Sequence, residues 1–149
     1  MKKVVAATVV ILFSFACNKS KNCEGPDLDC SSIRCIAHWY YFDFKLVDKT
    51  TGADIVFGNN PKYTTSDIKL FLDAARTNAI SLTADNLNKK FSTMTAKSEM
   101  YLEIKGTDLY KLTAEFRDND CCSSSIKILW QDGAMICSCC NDVIPIAVN

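Results

Sequence analysis

The sequence has few of the residues that interrupt regular structure, with five glycines and three prolines among 149 residues. That scarcity excludes collagen-like, repetitive and low-complexity chains. It also has one histidine, so a catalytic site built on an imidazole would have to use His38. Basic and acidic residues are equal in number, at seventeen each. This balance gives no basic face for nucleic acid.

Only one long apolar run is present, and it lies at the N-terminus. Lys2 and Lys3 precede an almost wholly apolar stretch from 4 to 15, and Ala16 supplies a small residue before a cleavage point. The run is shorter than the roughly 20 apolar residues that a membrane-spanning helix needs. We therefore predict that residues 1–16 are a secretory signal peptide, which directs the chain to an oxidising compartment.

The residues at the predicted cleavage point resemble the lipidation box of bacterial lipoproteins. The box reads Ser14-Phe15-Ala16-Cys17, and it departs from the family pattern at its first two positions, where that pattern favours Leu and then a small residue. Nine cysteines less Cys17 leave eight that can all pair. We predict a lipidated Cys17 and a polar tether over 17–32. The alternative is a secreted protein with a spare thiol at Cys17.

The other eight cysteines form two groups, three near the N-terminus and five near the C-terminus. They are Cys23, Cys30, Cys35, Cys121, Cys122, Cys137, Cys139 and Cys140. In an exported chain we predict that all eight form disulfides. Two odd groups require at least one bridge between the ends, and Cys35 is the candidate because it falls in the longest predicted strand. Cys23 and Cys30 are close enough in sequence to pair with each other. Adjacent cysteines in an extended segment point to opposite faces, so they take different partners.

The density of cysteines also fits two other interpretations. Thiolates packed this closely could hold zinc or another soft metal, and a free thiol of low pKa could serve a thiol–disulfide enzyme. An oxidising environment argues against the first interpretation. The second lacks a Cys-x-x-Cys motif that opens a helix. We predict no metal and no cofactor.

Alternation of apolar and polar residues predicts an all-β fold. Residues 33–47 give the longest signal, and period-two spacing assigns one of its faces to the core. The core candidates are Ile36, His38, Tyr40, Phe42, Phe44 and Leu46. Shorter strand signals follow at 54–57, 66–73, 79–83, 100–104 and 109–116. Helical spacing fits 66–76 equally well, so the pattern alone leaves helix and strand open there.

The C-terminal cysteine block surrounds a predicted hairpin. Two apolar arms, 125–130 and 134–136, flank Asp132 and Gly133. An Asp-Gly pair suits a two-residue turn because both turn positions need positive φ.

The remaining segments complete the predicted fold. Residues 85–98 are polar and are interpreted as a surface connection. Residues 143–148 continue the second arm of the hairpin, as an edge or bulged strand because Pro145 lacks an N–H. Together the signals predict an antiparallel β-sandwich of seven to nine short strands, forming a single domain over 33–149 and stapled by disulfides.

One segment resembles a known family. The motif FKLVDKTTG-x-D-x-x-FG at 44–58, followed by Tyr63 and by Ser66-Asp67-Ile68, is similar to a segment of small lipoproteins of Bacteroidota-type bacteria. The resemblance implies a strand–turn–strand–loop–strand unit, a β-sandwich module and an envelope location. It also favours a strand rather than a helix in the segment that starts at 66, with an end near Asp73. That family has no established activity, so the resemblance implies no substrate.

Two sets of polar residues could support chemistry. His38 could act with a serine and an aspartate, but its place among aromatic residues in a strand favours a structural role. Asp118, Asn119 and Asp120 could offer oxygen ligands to calcium, although such runs are common in turns and the rest of a calcium loop is missing. We predict no catalytic residue.

Three consecutive aromatic residues could instead recognise a ligand. Trp39, Tyr40 and Tyr41 could form a platform for a sugar. Alternation turns some of these rings inward, so core packing is the simpler interpretation. Exposed Trp39 and Tyr41 that line a groove would favour a carbohydrate ligand.

We expect a non-enzymatic binding or accessory module, anchored in the bacterial cell envelope by a lipid on Cys17. Its partner would be a protein or a glycan, recognised through loops such as 58–65 and 85–98. No acidic run follows Cys17, which favours the periplasmic face of the outer membrane. One alternative is a carbohydrate-binding envelope module. Another is an envelope hydrolase or thiol–disulfide enzyme.

Overall fold

The computed structural model describes residues 26–140 and 142–149. Within them it contains ten β-strands, a turn of 3-10 helix at Thr65–Asp67 and no α-helix. The strands are β1 (Trp39–Asp48), β2 (Ile68–Phe71), β3 (Ala79–Ile80), β4 (Thr83–Asp85), β5 (Lys90–Thr93), β6 (Glu99–Ile104), β7 (Asp108–Asp120), β8 (Ser123–Gln131), β9 (Ala134–Ser138) and β10 (Ile144–Val148). The predicted class, an all-β fold stapled by disulfides, is confirmed.

The ten strands belong to one curled sheet. Its order is β3-β2-β6-β7-β8-β1-β5-β4, with β9 beside β8 and β10 beside β1. The pairings are antiparallel except that β1 runs parallel to both β8 and β10. These two parallel pairs join the first strand of the described chain to its C-terminal part.

Strand β1 has a different set of neighbours on each edge. One edge pairs with β5 through residues 42–44. The other edge pairs with β8 through 39–41 and then with β10 through 44–48. The neighbour on this second edge therefore changes within a few residues, and β8 and β10 diverge from each other at that point.

The core lies on the concave side of the sheet and is formed mainly by aliphatic and phenylalanine side chains. Phe42, Phe44 and Leu46 on β1 are at most 1% exposed. The ring centroid of Phe44 lies 4.7 Å from that of Phe42 and 5.3 Å from that of Phe91 on β5. Further fully buried side chains come from the other half of the sheet, namely Leu70, Met100, Leu102, Leu112 and Leu129. Burial of each such side chain contributes about 1.5–3 kcal/mol.

The predicted hairpin is present and uses the predicted turn. Asp132 has a φ of 50° and Gly133 a φ of 83°, which are the positive values that a two-residue turn between twisted strands requires. The turn is also held from outside, because Asp132 Oδ1 accepts a hydrogen bond of 2.9 Å from the Lys111 amide on β7.

Two disulfides join the N-terminal segment to the C-terminal cysteine block. Cys30 pairs with Cys121 and Cys35 pairs with Cys122, across sequence separations of 91 and 87 residues. The adjacent cysteines 121 and 122 thus have different partners, as predicted, but they lie in the turn between β7 and β8 rather than in an extended segment. Cys30 does not pair with Cys23 as the sequence had allowed, and Cys17, Cys23 and the predicted signal peptide lie outside the described residues.

The start of the predicted first strand is wrong. Ile36 and His38 were expected in the core, but both are exposed and the strand begins at Trp39. The reason is that the segment before Trp39 leads to the Cys35–Cys122 disulfide rather than into the sheet. The alternation of apolar residues extends toward the N-terminus beyond Trp39, where the strand pairing begins.

The predicted strand at 54–57 is a loop. Asp54 bridges Val47 on β1, and its Oδ1 then accepts hydrogen bonds from the amides of Val56 and Phe57 at 3.0 and 2.7 Å. An aspartate that binds the amides two and three residues ahead folds the chain into a turn. Gly58 closes this turn, because a Cβ there would collide with the Asp54 carbonyl oxygen.

Two predictions about later segments are also wrong in part. The supposed surface connection 85–98 contains β5, whose Phe91 is 1% exposed; one apolar residue among polar neighbours gives no periodic signal. Residues 144–148 form β10, but this strand pairs with β1 and does not continue β9. Pro145 was expected to lie in an edge strand. This is confirmed, because among the described strands β10 pairs with β1 alone.

The two end-to-end disulfides are expected to act non-additively. While one of them remains, the other closes only a short extra loop, so a Cys35→Ser/Cys122→Ser variant is expected to lose about 2–3 kcal/mol. The Cys30→Ser/Cys121→Ser variant should lose a similar amount. Removal of both pairs also releases a long loop and should cost more than the sum. Urea unfolding of the three variants and the wild type measures this, and strictly additive losses would contradict it.

Candidate functional site

The strongest candidate site lies on the outer face of β1. Phe42 and Phe44 point into the core, so the alternate residues Trp39, Tyr41 and Asp43 point outward. Trp39 is 41% exposed and Tyr41 is 39% exposed. Among the described residues, no ring or cation contact involves either of these two aromatic side chains. About two fifths of each side chain is therefore open to solvent and can meet a ligand.

The neighbouring strands turn this face into a hollow of about 440 Å³. We call it the aromatic hollow, and the residues that define it are Trp39, Tyr41, Asp43, Lys90, Ser92 and Met94. Asp43 is in register with Ser92 on β5, and Ser92 is in register with Thr83 on β4. Directly opposed side chains on one face lie about 5 Å apart. The hollow therefore combines aromatic rings with a row of hydrogen-bonding groups.

A charged pair crosses the aromatic hollow. Lys90 Nζ donates a hydrogen bond to Asp43 Oδ2, and both side chains are partly buried. This hydrogen bond to the carboxylate raises the pKa of Lys90 above its ordinary value. The pair presents fixed donors and acceptors, while its opposite charges cancel.

The aromatic hollow is held by backbone contacts on both sides. The Trp39 amide donates to the carbonyl of Cys122 at 2.9 Å, beside the Cys35–Cys122 disulfide. On the other side the Tyr40 amide donates to the Met94 carbonyl at 3.0 Å. Trp39 and Tyr41 therefore belong to a strand that a disulfide and backbone hydrogen bonds hold in place, and not to a loop.

A second hollow of about 500 Å³ lies beside β1, where β8 and β10 diverge from each other. We call it the fork hollow, and the residues that define it are Tyr41, Asp43, Arg117, Ser125, Asp142 and Ile144. Arg117 Nη2 donates to the Cys140 carbonyl at 3.4 Å. No sequence signal predicts this site, because its residues meet through two parallel pairings between distant segments.

His38 does meet a serine, but not as a catalytic triad. His38 Nε2 lies 2.7 Å from Ser124 Oγ, and Ser124 Oγ donates to Asp118 Oδ1 at 2.7 Å. In a triad the carboxylate would orient the imidazole and the serine would face the substrate. Here the carboxylate binds the serine itself, and Ser124 is 1% exposed. The three residues form a structural hydrogen-bond chain.

The residues considered as calcium ligands also accept hydrogen bonds from serine hydroxyls. Asp120 Oδ2 accepts from Ser123 Oγ at 2.7 Å, and Asn119 Oδ1 accepts from Ser125 Oγ at 2.8 Å. The Ser123 hydroxyl, followed by the Cys122 amide, holds the pKa of Asp120 below its ordinary value. No group of three or more metal-ligating side chains occurs in residues 26–140 and 142–149.

The cysteines that the structure describes are all disulfide-bonded. Cys137 pairs with Cys140 across three positions, a Cys-x-x-Cys spacing that the sequence interpretation overlooked. Cys139 between them is bonded as well, and it has a positive φ of 54°. None of these seven cysteines offers the free thiol that a metal site or a nucleophile needs.

Fold and site together define an all-β, disulfide-bonded protein with two shallow hollows on either side of Tyr41. The chain matches no protein-family model, no curated protein and no solved structure. Among the described residues no helix is both long and apolar enough to cross a membrane. An assignment of function therefore rests on the chemistry of the residues themselves.

A structural role for Ser124 predicts a specific loss of stability. Ser124→Ala removes both hydrogen bonds of a buried hydroxyl and is expected to cost about 1–3 kcal/mol in urea unfolding. The matched control is Ser125→Ala, whose hydroxyl binds the exposed Asn119 and whose loss should cost less than about 1 kcal/mol. Covalent labelling of Ser124 by a fluorophosphonate probe in the native protein would contradict the structural role.

Proposed function

We propose that this protein is a lipid-anchored, non-enzymatic binding module of the bacterial cell envelope. Its anchor is Cys17, which follows the predicted signal peptide, and the resemblance of 44–58 to small envelope lipoproteins supports that location. The observation on which the binding role depends is the aromatic hollow, where two accessible aromatic side chains stand beside a charged pair. Partly apolar hollows with a few fixed polar groups are the usual form of ligand sites.

The arrangement of the aromatic hollow favours a carbohydrate as its ligand. A sugar ring has an apolar face that packs on an aromatic ring and hydroxyl groups that need donors and acceptors. Trp39 and Tyr41 offer the rings, while Asp43, Lys90 and Ser92 offer the hydrogen bonds. A glycan-binding role in the envelope, at the periplasmic face of the outer membrane, follows as the second part of this proposal.

The lipid anchor can be tested by mass. Intact mass spectrometry of the protein from its membrane fraction should give a chain that starts at Cys17 and bears acyl chains. A Cys17→Ser variant is the control and should leave the membrane fraction while keeping its disulfides. An unacylated chain that includes residues before Cys17, or one that starts elsewhere, would rule out the anchor.

The aromatic hollow can be tested by removal of its rings. Trp39→Ala and Tyr41→Ala should each lower the affinity for glycans bound on a glycan array at least about tenfold. Their unfolding temperatures should change little, because both side chains are exposed. Tyr101→Ala is a suitable control, since Tyr101 is a partly buried tyrosine on β6 outside the hollow. Equal binding by the two hollow variants and the wild type would contradict a role for this surface.

A further inference from the structure

The aromatic hollow and the fork hollow have a common wall. Tyr41 and Asp43 contribute to both. These two residues stand two positions apart on the outer face of β1, with the aromatic hollow toward β5 and the fork hollow toward β8 and β10. The two hollows therefore adjoin across Tyr41 and Asp43, and we refer to the pair together as the depression.

The direction and length of this depression restrict what can fill it. It starts at Thr83 on β4, passes Ser92 and Asp43 in register, and ends where β8 and β10 diverge. Three strand spacings amount to about 14 Å, which is longer than a single sugar ring and comparable to a trisaccharide. A peptide recognised by strand addition would lie along a sheet edge and bind its backbone groups. This surface crosses the strands and offers side chains.

The two parts of the depression differ in chemistry but share a charge balance. The aromatic hollow has accessible rings and the Lys90–Asp43 pair. The fork hollow has Arg117 and Asp142 at its walls and lacks an accessible aromatic ring other than Tyr41. Because the two hollows together contain two cations, Lys90 and Arg117, and two anions, Asp43 and Asp142, the depression does not favour a ligand of high net charge. Uncharged hydroxyl groups can accept from the cations and donate to the carboxylates.

We infer that the two hollows are consecutive subsites for one neutral oligosaccharide of about three units, which stacks on Trp39 and Tyr41 and reaches across Tyr41 to Arg117 and Asp142. This inference rests on the proposed function, and it adds the ligand class and the binding direction. The aromatic hollow supplies the packing surface, and the fork hollow supplies hydrogen bonds to the next unit. The affinity should then increase with the number of sugar units in the ligand until both subsites are filled.

The test uses the exported protein with its disulfides intact. Neutral oligosaccharides of two to six units, chosen from the hits of an array of neutral glycans, are titrated by calorimetry. Affinity should increase about tenfold or more from the disaccharide to the trisaccharide or tetrasaccharide and then level off. An affinity that does not change with length above two units would overturn the two-subsite arrangement.

A variant in each hollow separates the subsites. Trp39→Ala should weaken binding at every length. Asp142→Gly should weaken the longest ligand at least about fivefold and the disaccharide less than about twofold. The control is Asp132→Gly, because Asp132 is also exposed and also has a positive φ, a conformation that glycine accepts. Equal effects of Asp142→Gly at all lengths, or no effect at any length, would overturn the inference.

The failure of this inference can be told apart from the failure of the proposed function. If no neutral glycan binds but a peptide from a random-sequence library binds and Trp39→Ala abolishes that binding, the binding module stands and the carbohydrate inference is overturned. If neither glycans nor peptides bind in a manner that depends on Trp39, both are overturned.

Discussion

Strand β1 determines how the rest of the sheet is arranged. Its side chains Phe42, Phe44 and Leu46 form the centre of the core, and this part of the strand must be paired on both edges because its backbone groups are buried as well. On one edge β5 pairs with residues 42–44, and the loop at 53–55 binds the backbone of Leu46 and Asp48. On the other edge neither β8 nor β10 reaches the full length of β1. β8 pairs with its first part, at 39–41, and β10 pairs with its second part, at 44–48. The curl of the sheet around one core follows from this shared edge.

The candidate site is a consequence of the same arrangement. Alternation sends the even-numbered residues of β1 into the core, so Trp39, Tyr41 and Asp43 must face outward whatever their own preference for burial. The change of neighbour from β8 to β10 opens the fork hollow on one side, and the short strands β4 and β5 border the aromatic hollow on the other. The disulfide at Cys35 fixes the start of the strand on which the site stands.

The sequence contains enough information for those features that depend on neighbours along the chain. The Asp132-Gly133 turn and the alternation of β1 after residue 39 are local, and the class of fold follows from them. β5 was missed because Phe91 is its one apolar residue. Ile36 was misplaced because alternation does not reveal where pairing ends. Trp39 and Tyr41 of the aromatic hollow were considered as an aromatic platform, but core packing was the preferred interpretation. The fork hollow was not, because Arg117 and Asp142 reach β1 only through long-range parallel pairing.

The strand topology affects how fast the chain can fold when it emerges from its N-terminus. β1 is the first strand of the described chain, yet its three partner strands follow at least 40 residues later, and two of them belong to the last third of the chain. If the chain crosses a membrane from its N-terminus, β1 cannot complete its pairing until almost all of the chain has emerged, because β8 and β10 emerge last. Loop closure over such distances then makes folding slow. Because cysteines 121 and 122 are adjacent, they can exchange partners before the sheet forms. Oxidative folding would then depend on disulfide reshuffling, which takes seconds to hours according to the isomerase present.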